Sequence, residues 1–253
     1  MSKYTIPNLK NACLALKLMA EQKSGISIGE MGEHLGVPRT SMLRILTTLE
    51  DEGFVQREGR TYQIGPMMLG MGLKAFKKSD IRELAGPVLN ILAVTTGETA
   101  HLAQLTGKQA LIARVCESPN PVRAASKEGT LADIHCSATG KIMLAFAVSD
   151  LSGFLDGVPL VKRTPHTSVS VKALAKEIRE IQARGYSIDN EEYSIGVRCL
   201  AAPVRNASGK VEAAIGITAS TVSFPQERIP EIADRVISAA EDLSLKLGGS
   251  VDA

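Results

Sequence analysis

Apolar positions recur with a helical period over residues 28–35 and again over residues 42–49. In front of the first stretch, Ser27 and Glu30 form a capping-box pattern, because the serine hydroxyl and the glutamate carboxylate can each bind a free backbone N–H at the start of a helix. Gly36 follows the stretch, and glycine often ends a helix in the left-handed conformation. The pattern therefore predicts a short helix that buries one face. Its apolar positions are Ile28, Met31 and Leu35.

The second stretch predicts a longer helix with one apolar and one polar face. Pro38 suits its first turn, where the missing N–H of proline costs nothing. The buried stripe consists of Met42, Ile45, Leu46 and Leu49. At about 100° per residue, the opposite face carries Thr40, Arg44 and Thr47, with Ser41 and Thr48 on its flank. Hydroxyl groups and a guanidinium group suit contacts with phosphates and with base edges in a major groove.

A β-hairpin is predicted after these two helices. Residues 54–57 and 61–64 would pair around residues 58–59, with Arg57 and Arg60 near the tip. Such a tip would lay arginines along the DNA backbone or in the minor groove. A polar helix face and an S/T-x-x-E pattern also occur by chance in generic helical modules, but the order of the elements favours a winged helix-turn-helix. The predicted DNA contacts are Ser27, Arg39, Thr40, Ser41, Arg44, Thr47, Arg57 and Arg60.

The distribution of charge agrees with this division of the chain. Residues 1–79 hold 11 lysines and arginines against 7 acidic residues, a net charge of +4. Residues 80–253 hold 18 against 20, a net charge of −2. A mildly basic N-terminal part and a nearly neutral C-terminal part suit a region that faces nucleic acid and a separate domain.

Composition bears on the class of protein and its compartment. The chain has 253 residues, 44% hydrophobic and 22% charged, as expected of a soluble globular protein with one large domain or two ordinary ones. No apolar run approaches the ~20 residues that cross a bilayer, and the N-terminus lacks the basic-then-apolar pattern of a secretion signal. Four scattered cysteines without a C-x-x-C spacing indicate a reducing compartment and argue against a disulfide framework or a zinc finger. We therefore expect a cytoplasmic protein with no membrane partner.

Further helices are predicted before and after the hairpin domain. Asn8 can cap a first helix whose apolar stripe includes Cys13, so a buried cysteine is expected there. A methionine-rich linker helix starts at Gly65-Pro66 and carries apolar residues on more than one face. Because a helix surrounded by water would not carry that surplus, we expect it to pack against a second copy of itself or against the following domain. A dimer would present two recognition helices to two half-sites.

Residues 80–253 predict an α+β domain. Helices are expected at 80–96 with an irregularity at Pro87, at 140–147 with Ser137 or Thr139 as the cap, and at 149–156, 169–184 and 229–247. Strands are expected at 101–105, 110–115, near 122–126, and at 186–189, 197–205 and 211–220. Helices before, between and after antiparallel-looking strands are typical of the α+β class.

Three stretches resemble the IclR family of bacterial transcriptional regulators, and the resemblance covers nearly the whole chain. The first is GVPRTSMLRILTTLEDEGFVQ, which is similar to the family's recognition helix and wing entry. The second is HCSATGKIMLAF, and the third, which is the most specific, is GYSIDNEEYSIGVRCLAAPVRNASGKVEAAIGITAS, similar to the family's C-terminal signature. Their order and spacing make the resemblance strong.

The resemblance implies a winged helix-turn-helix domain (1–65), a linker helix (66–79) and a GAF/PAS-like effector-binding and oligomerisation domain (80–253) whose antiparallel sheet is flanked by helices. It also implies homodimers, often paired as tetramers, that bind palindromic double-stranded DNA under the control of a small effector such as an organic acid or an aromatic or sugar-acid catabolite. No cofactor is implied. Carried over position by position, the effector site consists of Ala138, Thr139, Asp189, Val197, Cys199, Gly216 and Thr218. The chain departs from relatives that bind small acids at Gly216, where a serine would offer a hydroxyl to a carboxylate.

The residues themselves are compatible with such a site. Strand alternation gives Val197 and Cys199 one face, and Gly216 and Thr218 likewise share a face. Together with Asp189 they would form a small polar cluster among apolar walls, as in many ligand pockets. Taken alone, Cys199 also suits buried packing and Asp189 also suits a turn or cap; the resemblance favours the pocket.

Two other functions remain open on the residues alone. His135 beside Cys136 suggests a thiol-dependent enzyme, and the two with Cys199 suggest a metal site. Because adjacent residues on a strand point to opposite faces, we do not expect His135 to activate Cys136, and the chain has no H-E-x-x-H, G-x-S-x-G, GxGxxG or P-loop motif. No catalytic or metal-binding residue is therefore assigned. The other function is a sensor that acts through protein contacts, and a steep fall of operator affinity with salt would favour DNA binding over it.

Overall fold

The computed structural model describes residues 4–22, 24–77 and 81–249. Its contacts divide the chain into two compact units, Met1–Ser79 and Asp80–Ala253. Among the described residues, no helix is long and apolar enough to cross a membrane.

In its described residues, the first unit combines four helices with a small antiparallel sheet. The helices are α1 (Pro7–Glu21), α2 (Ile28–Leu35), α3 (Arg39–Asp51) and α4 (Pro66–Lys77). The strands are β1 (Ile26–Ser27), β2 (Val55–Glu58) and β3 (Thr61–Ile64), in the order β1-β3-β2. One core joins α1, α2 and α3 to the sheet, and its largest fully buried side chains are Met31, Met42, Leu46 and Tyr62. The winged helix-turn-helix predicted from periodicity is confirmed.

The capping pattern at Ser27 is also confirmed. The Ser27 Oγ atom accepts a hydrogen bond from the Glu30 N–H at 3.3 Å, and Glu30 Oε2 accepts one from the Ser27 N–H at 2.8 Å. These bonds with Ser27 hold the pKa of the Glu30 carboxyl below its usual value. The helix ends at Gly36, whose φ of 62° lies in the left-handed region.

The prediction for α1 is wrong in two details. The helix begins at Pro7, so Ile6 rather than Asn8 occupies the cap, and it makes no side-chain capping bond. Cys13 is exposed rather than buried, because the helix turns other positions toward the core. The residues that α1 buries are Ala15 and Met19.

The wing starts one residue later than predicted. Glu58 belongs to β2 and pairs with Thr61, so the turn consists of Gly59 and Arg60. Gly59 has a φ of 61°, which residues with a Cβ atom rarely adopt. The edge strand β1 was not predicted, since two residues are too few to show an alternation.

The second unit is an α+β domain, as predicted. Its helices are α5 (Ile81–Thr96, with Pro87 inside it), α6 (Ala138–Phe146), α7 (Leu151–Leu155), α8 (Val171–Arg184) and α9 (Ile229–Lys246). Its strands are β4 (Thr99–Thr106), β5 (Gln109–Cys116), β6 (Leu131–Asp133), β7 (Ser187–Asn190), β8 (Val197–Arg205) and β9 (Val211–Ser220). They form one antiparallel sheet in the order β6-β5-β4-β9-β8-β7.

Successive side chains of the central strands serve two different cores. Leu200, Ile215 and Ile217 pack with residues of α5 and α9 on one face of the sheet. Ala201 and Ala214 lie on the other face and pack with residues of α6 and α8. Because side chains two apart on a strand share a face, Cys199 and Thr218 belong to this second face.

The strand predicted near residues 122–126 is wrong. Within residues 117–130, all of which the structure describes, the chain forms a loop without a strand. The Thr99 hydroxyl donates a hydrogen bond to the Ala124 carbonyl at 2.8 Å, which satisfies that backbone group without a neighbouring strand. The edge beside β5 is occupied instead by β6, where Asp133 pairs with Gln109.

Candidate functional site

The outward face of α3 is polar, as a recognition helix requires. Arg39, Thr40, Arg44 and Thr47 are exposed, and Ser41 is half-buried. The opposite face buries Met42, Ile45 and Leu46 in the core. Two guanidinium groups and two exposed threonine side chains therefore lie along the solvent side of one helix. This arrangement suits contacts with DNA phosphates and base edges.

Two of the three other predicted DNA contacts, Ser27 and Arg57, make bonds within their own unit. The Ser27 hydroxyl caps α2. Arg57 Nε donates to the Gly59 carbonyl at 2.9 Å, and its guanidinium lies 5.8 Å from the centroid of the Tyr62 ring. Arg60 is exposed in the turn of the wing. Arg60 thus presents its charge at the tip, whereas Ser27 and Arg57 also hold local structure.

The second unit contains a cavity of about 340 Å³ on the second face of its sheet. It is lined by residues 124–127, by parts of β5, β7, β8 and β9, and by residues at the start of α6. Five of the seven predicted effector residues line it, namely Thr139, Asp189, Val197, Cys199 and Thr218. A volume of this size is within the range of small-molecule sites.

Three of these residues form one row across the sheet. Asp189 on β7 pairs with Cys199 on β8, and Cys199 pairs with Thr218 on β9. Directly opposite residues of antiparallel strands hold their Cβ atoms about 5 Å apart, so the row brings a carboxylate, a thiol and a hydroxyl together. The Cys199 thiol donates to Thr218 Oγ1 at 3.5 Å, and burial raises its pKa above the usual value.

Ala138 and Gly216 do not line the cavity. Ala138 is buried in the core between α6 and α8. Gly216 faces Ala201 on the neighbouring strand, and a Cβ atom added to Gly216 would lie 2.4 Å from the Leu200 carbonyl oxygen. A side chain at position 216 therefore has no room unless the neighbouring strand moves.

Asp189 is an acidic side chain in the cavity wall, and its pKa is strongly shifted. It is 1% exposed, and its Oδ1 atom accepts hydrogen bonds from the N–H groups of Glu192 at 2.8 Å and Tyr193 at 3.2 Å. Its Oδ2 atom is buried and has no partner among the described residues. Burial raises the pKa of the Asp189 carboxyl to about 7, against the opposing effects of these bonds and of the Lys141 charge. A buried oxygen without a partner is unfavourable, and a ligand with a hydrogen-bond donor would satisfy it.

A buried cluster of one lysine and two glutamates lies next to the backbone that holds Asp189. Lys141 on α6 is 0% exposed, and its Nζ atom lies 2.5 Å from Glu177 Oε1 and 2.5 Å from Glu192 Oε1. Burial opposes the charge of this amine, but the carboxylates of Glu192 and Glu177 outweigh it and raise the Lys141 pKa. Since the Glu192 N–H also binds Asp189, the cluster fixes the backbone that orients Asp189. Lys141 was not among the predicted site residues, although a lone lysine inside the apolar run GKIMLAF is a signal for it.

The loop over the cavity was missed as well. Ser126 Oγ lies 2.8 Å from Thr218 Oγ1, which is also 3.4 Å from His101 Nδ1. Burial lowers the pKa of His101 to about 4, so this ring is neutral at physiological pH. The residues from the loop that line the cavity are Ala124, Ala125, Ser126 and Lys127. An irregular loop has no periodicity, and nothing in the sequence brings it opposite β9.

The premise that His135 and Cys136 lie on a strand is wrong. β6 ends at Asp133, and residues 134–136 form a turn before α6. The donor atoms of Asp133, His135 and Cys136 lie within 4.8 Å of one another, and Cys199 is not among them because it faces the cavity. Burial raises the pKa of the Cys136 thiol to about 12, so at neutral pH it is protonated and unsuited to nucleophilic attack.

A chain with a winged helix-turn-helix unit and a sheet unit that encloses a ligand-sized cavity is a ligand-responsive, DNA-binding regulator. Two family profiles match it: the bacterial transcriptional regulator IclR C-terminal domain over residues 73–245 and the IclR helix-turn-helix domain over residues 9–59. The chain belongs to the IclR family of bacterial transcriptional regulators. Members of this family are transcriptional regulators with a C-terminal effector-binding domain, not enzymes, and their partners are operator DNA and small molecules.

Individual relatives agree along nearly their whole length. The chain is 33% identical to the HTH-type transcriptional regulator BhcR of Paracoccus denitrificans over 91% of this chain and 84% of BhcR. It is 28% identical to the HTH-type transcriptional regulator XynR of Escherichia coli over 96% of this chain and 98% of XynR. The crystal structure of the Thermotoga maritima IclR matches with a TM-score of 0.72 and 30% identity, covering 96% of this chain and 100% of that one.

Proposed function

We propose that a small metabolite binds in the cavity of the second unit and changes the affinity of the first unit for its operator. In this proposal residues 1–65 read DNA, residues 66–79 link, and residues 80–253 bind the effector and hold the oligomer together. The observation that carries the proposal is the row formed by Asp189, Cys199 and Thr218 inside the cavity.

The polar groups of the cavity favour a small hydroxylated acid. The Asp189 Oδ2 atom calls for a hydrogen-bond donor such as a ligand hydroxyl. Lys127 is exposed at the wall of the same cavity and offers a positive charge to a carboxylate. The apolar remainder of the wall, which includes Ile112 and Val197, suits the carbon skeleton of an aromatic or sugar-acid catabolite.

The proposed regulator acts as a homodimer, or as a pair of dimers, on a palindromic operator in the bacterial cytoplasm. A single first unit has a net charge of +4, and its affinity for phosphates is modest because each released counterion contributes a limited amount. Two recognition helices on two half-sites overcome this weakness. The metabolite can act only by binding one arrangement of the dimer more tightly than the other.

The test fills the cavity without touching the DNA-binding face. Full-length protein is screened against a metabolite library by thermal shift, and operator affinity is measured with and without each hit. Val197→Phe, which occupies the cavity, should abolish both the melting shift and the change in operator affinity, while operator binding without ligand stays normal. Val122→Phe adds the same ring at a position that is 92% exposed and serves as the control. A hit that still acts on Val197→Phe would place the effector elsewhere.

A further inference from the structure

Three potential metal ligands converge in the turn between β6 and α6. They are the carboxylate of Asp133, the imidazole of His135 and the thiol of Cys136, with donor atoms within 4.8 Å of one another. His135 and Cys136 are both 0% exposed. The turn is held by Ser137, whose hydroxyl donates to the Asp133 carbonyl at 2.7 Å and accepts from the Gly140 N–H at 3.2 Å. A short, fixed turn thus presents three different donor groups to one point.

The hydrogen bond of His135 determines which ring nitrogen can bind a metal. Its Nε2 atom lies 3.1 Å from the Val161 carbonyl oxygen. A carbonyl can only accept, so Nε2 carries the hydrogen and Nδ1 of the neutral ring has a lone pair. His135 Nδ1 is buried and has no partner among the described residues. Metal-binding histidines are oriented in the same way, with one nitrogen on a backbone carbonyl and the other on the metal.

The donor set selects the kind of ion. Imidazole nitrogen, thiolate sulfur and carboxylate oxygen together suit Zn²⁺, whereas Mg²⁺ and Ca²⁺ prefer oxygen ligands alone. A second cavity of about 290 Å³ is lined by Asp133 and His135, together with Lys108, Gln109, Ile134 and residues 157–159. This space gives an entry path and room for a water molecule as the fourth ligand of a tetrahedral ion.

An arginine positions the carboxylate. Arg163 Nε lies 2.6 Å from Asp133 Oδ2, and the Arg163 guanidinium stacks 4.1 Å from the centroid of the Tyr193 ring. Since the arginine engages one oxygen of the carboxylate, the other oxygen is the one directed to a metal. Partners of this kind, bound to a ligating group rather than to the metal, orient the ligands of many sites.

We propose that Asp133, His135 and Cys136 bind a Zn²⁺ ion. The site is separate from the effector cavity, which has Asp189, Cys199 and Thr218 in its wall, and the proposal does not depend on what binds there. On binding, the Cys136 S–H bond breaks, the proton passes to solvent and the thiolate sulfur donates to the metal; no oxidant or reductant is needed.

Co²⁺ binding to the full-length, chelator-treated protein tests the proposal. One Co²⁺ per chain should bind and give a near-ultraviolet sulfur-to-cobalt charge-transfer band, and stoichiometric Zn²⁺ should displace it. Cys136→Ser should remove the band and His135→Gln should lower the affinity for Co²⁺ at least tenfold. Cys116→Ser is the matched control, because it removes a half-buried thiol that belongs neither to the cluster nor to the effector cavity, and it should leave the band unchanged.

Folding is checked for each variant by circular dichroism. If a variant does not fold, X-ray absorption of the zinc-loaded wild-type protein decides, since the proposal requires one sulfur ligand at about 2.3 Å. Folded wild-type protein that binds less than one equivalent of either metal, a charge-transfer band that survives in Cys136→Ser, or a zinc spectrum without a sulfur ligand would each overturn the proposal.

Discussion

The hydroxyl oxygen of Ser126 lies 2.8 Å from the hydroxyl oxygen of Thr218. This hydrogen bond joins the loop that covers the cavity of the second unit to the last strand of the sheet, across 92 residues of sequence. Thr218 also contacts His101 and Cys199, so a single hydroxyl on β9 links the loop to β4 and β8. A ligand that enters here must either keep this link or replace it.

Thr218→Val should loosen the loop and weaken the binding of any ligand in the cavity. The substitution keeps the shape of the side chain but removes the hydroxyl, and a lost buried hydrogen bond costs about 1 kcal/mol of stability. Hydrogen exchange of residues 124–130 should become faster, and the melting shift caused by a cavity ligand should fall. Ser223→Ala removes a hydroxyl bonded to Ser220 instead and should change neither quantity. Unaltered exchange in Thr218→Val would show that the loop is held by other contacts.

Arg44→Ala should weaken operator binding by about 1–3 kcal/mol if Arg44 reads a base. Arg44 is exposed on the polar face of α3, so the loss should appear in DNA affinity and not in melting temperature. Arg179→Ala removes the same charge from an exposed position on α8 and is the control. Binding is measured by fluorescence anisotropy over a range of salt concentrations. Equal affinity of Arg44→Ala and wild type would remove Arg44 from the interface, and affinity that hardly falls with salt would favour a protein partner over DNA.

The stability of Asp189→Asn relative to wild type should increase as the pH rises. The native pKa of Asp189 is about 7 against an ordinary value of 3.8, so between these values the unfolded chain releases a proton that the native state retains. The native state is therefore destabilised with rising pH from about 4 to 7, and the penalty is constant above that range. Asparagine cannot ionise. The difference in unfolding free energy between Asp189→Asn and wild type should therefore shift in favour of the variant by roughly 2–4 kcal/mol between pH 4 and pH 8.

Urea unfolding of both proteins from pH 4 to pH 8 measures this difference. The comparison cancels the contributions of titrating groups that do not interact with Asp189, whereas the charges of Lys141 and Glu192 interact with it directly. A difference between the two proteins that does not vary with pH would mean that Asp189 ionises normally.

Lys141→Met should be strongly destabilising. It leaves Glu192 mostly buried without its cation, with a side chain only 11% exposed, and breaking a buried pair in this way costs about 3–5 kcal/mol. Adding Glu192→Gln to Lys141→Met should restore part of the loss, because the uncompensated charge is gone. Lys176→Met removes a lysine that is 77% exposed in its ion pair with Glu180 and should have little effect in the same urea titration. If the double variant is no more stable than Lys141→Met, the charge of Glu192 is not the cause.

Most helices and strands could be predicted because the residues that determine them lie close together in the sequence. The cap at Ser27, the end of α2 at Gly36 and the apolar stripe on α3 each depend on residues within a few positions of one another. The cavity is different. Its members on β7, β8 and β9 were named from a resemblance, and their alignment in one row depends on strand register, which is set by pairing between distant residues.

Other parts of the site had no local signal of their own. A strand was predicted near residues 122–126, yet these residues lie in a loop whose place is decided by contacts with Thr99 and Thr218. His135 and Cys136 were separated by assuming a strand, and a turn brings them together with Asp133. In each case a tertiary contact prevails over the pattern of neighbouring residues.

Close packing of β8 against Gly216 restricts which residues beside the cavity can change in evolution. Because a Cβ atom there would lie 2.4 Å from the backbone of β8, no single substitution at this position can introduce a new ligand contact without separating two paired strands. The loop residues Ala124, Ala125 and Lys127 face the same cavity without a paired strand beside them. If the cavity binds the proposed effector, descendants of this protein with a different ligand preference are therefore expected to diverge in the loop first, while the paired strands stay unchanged.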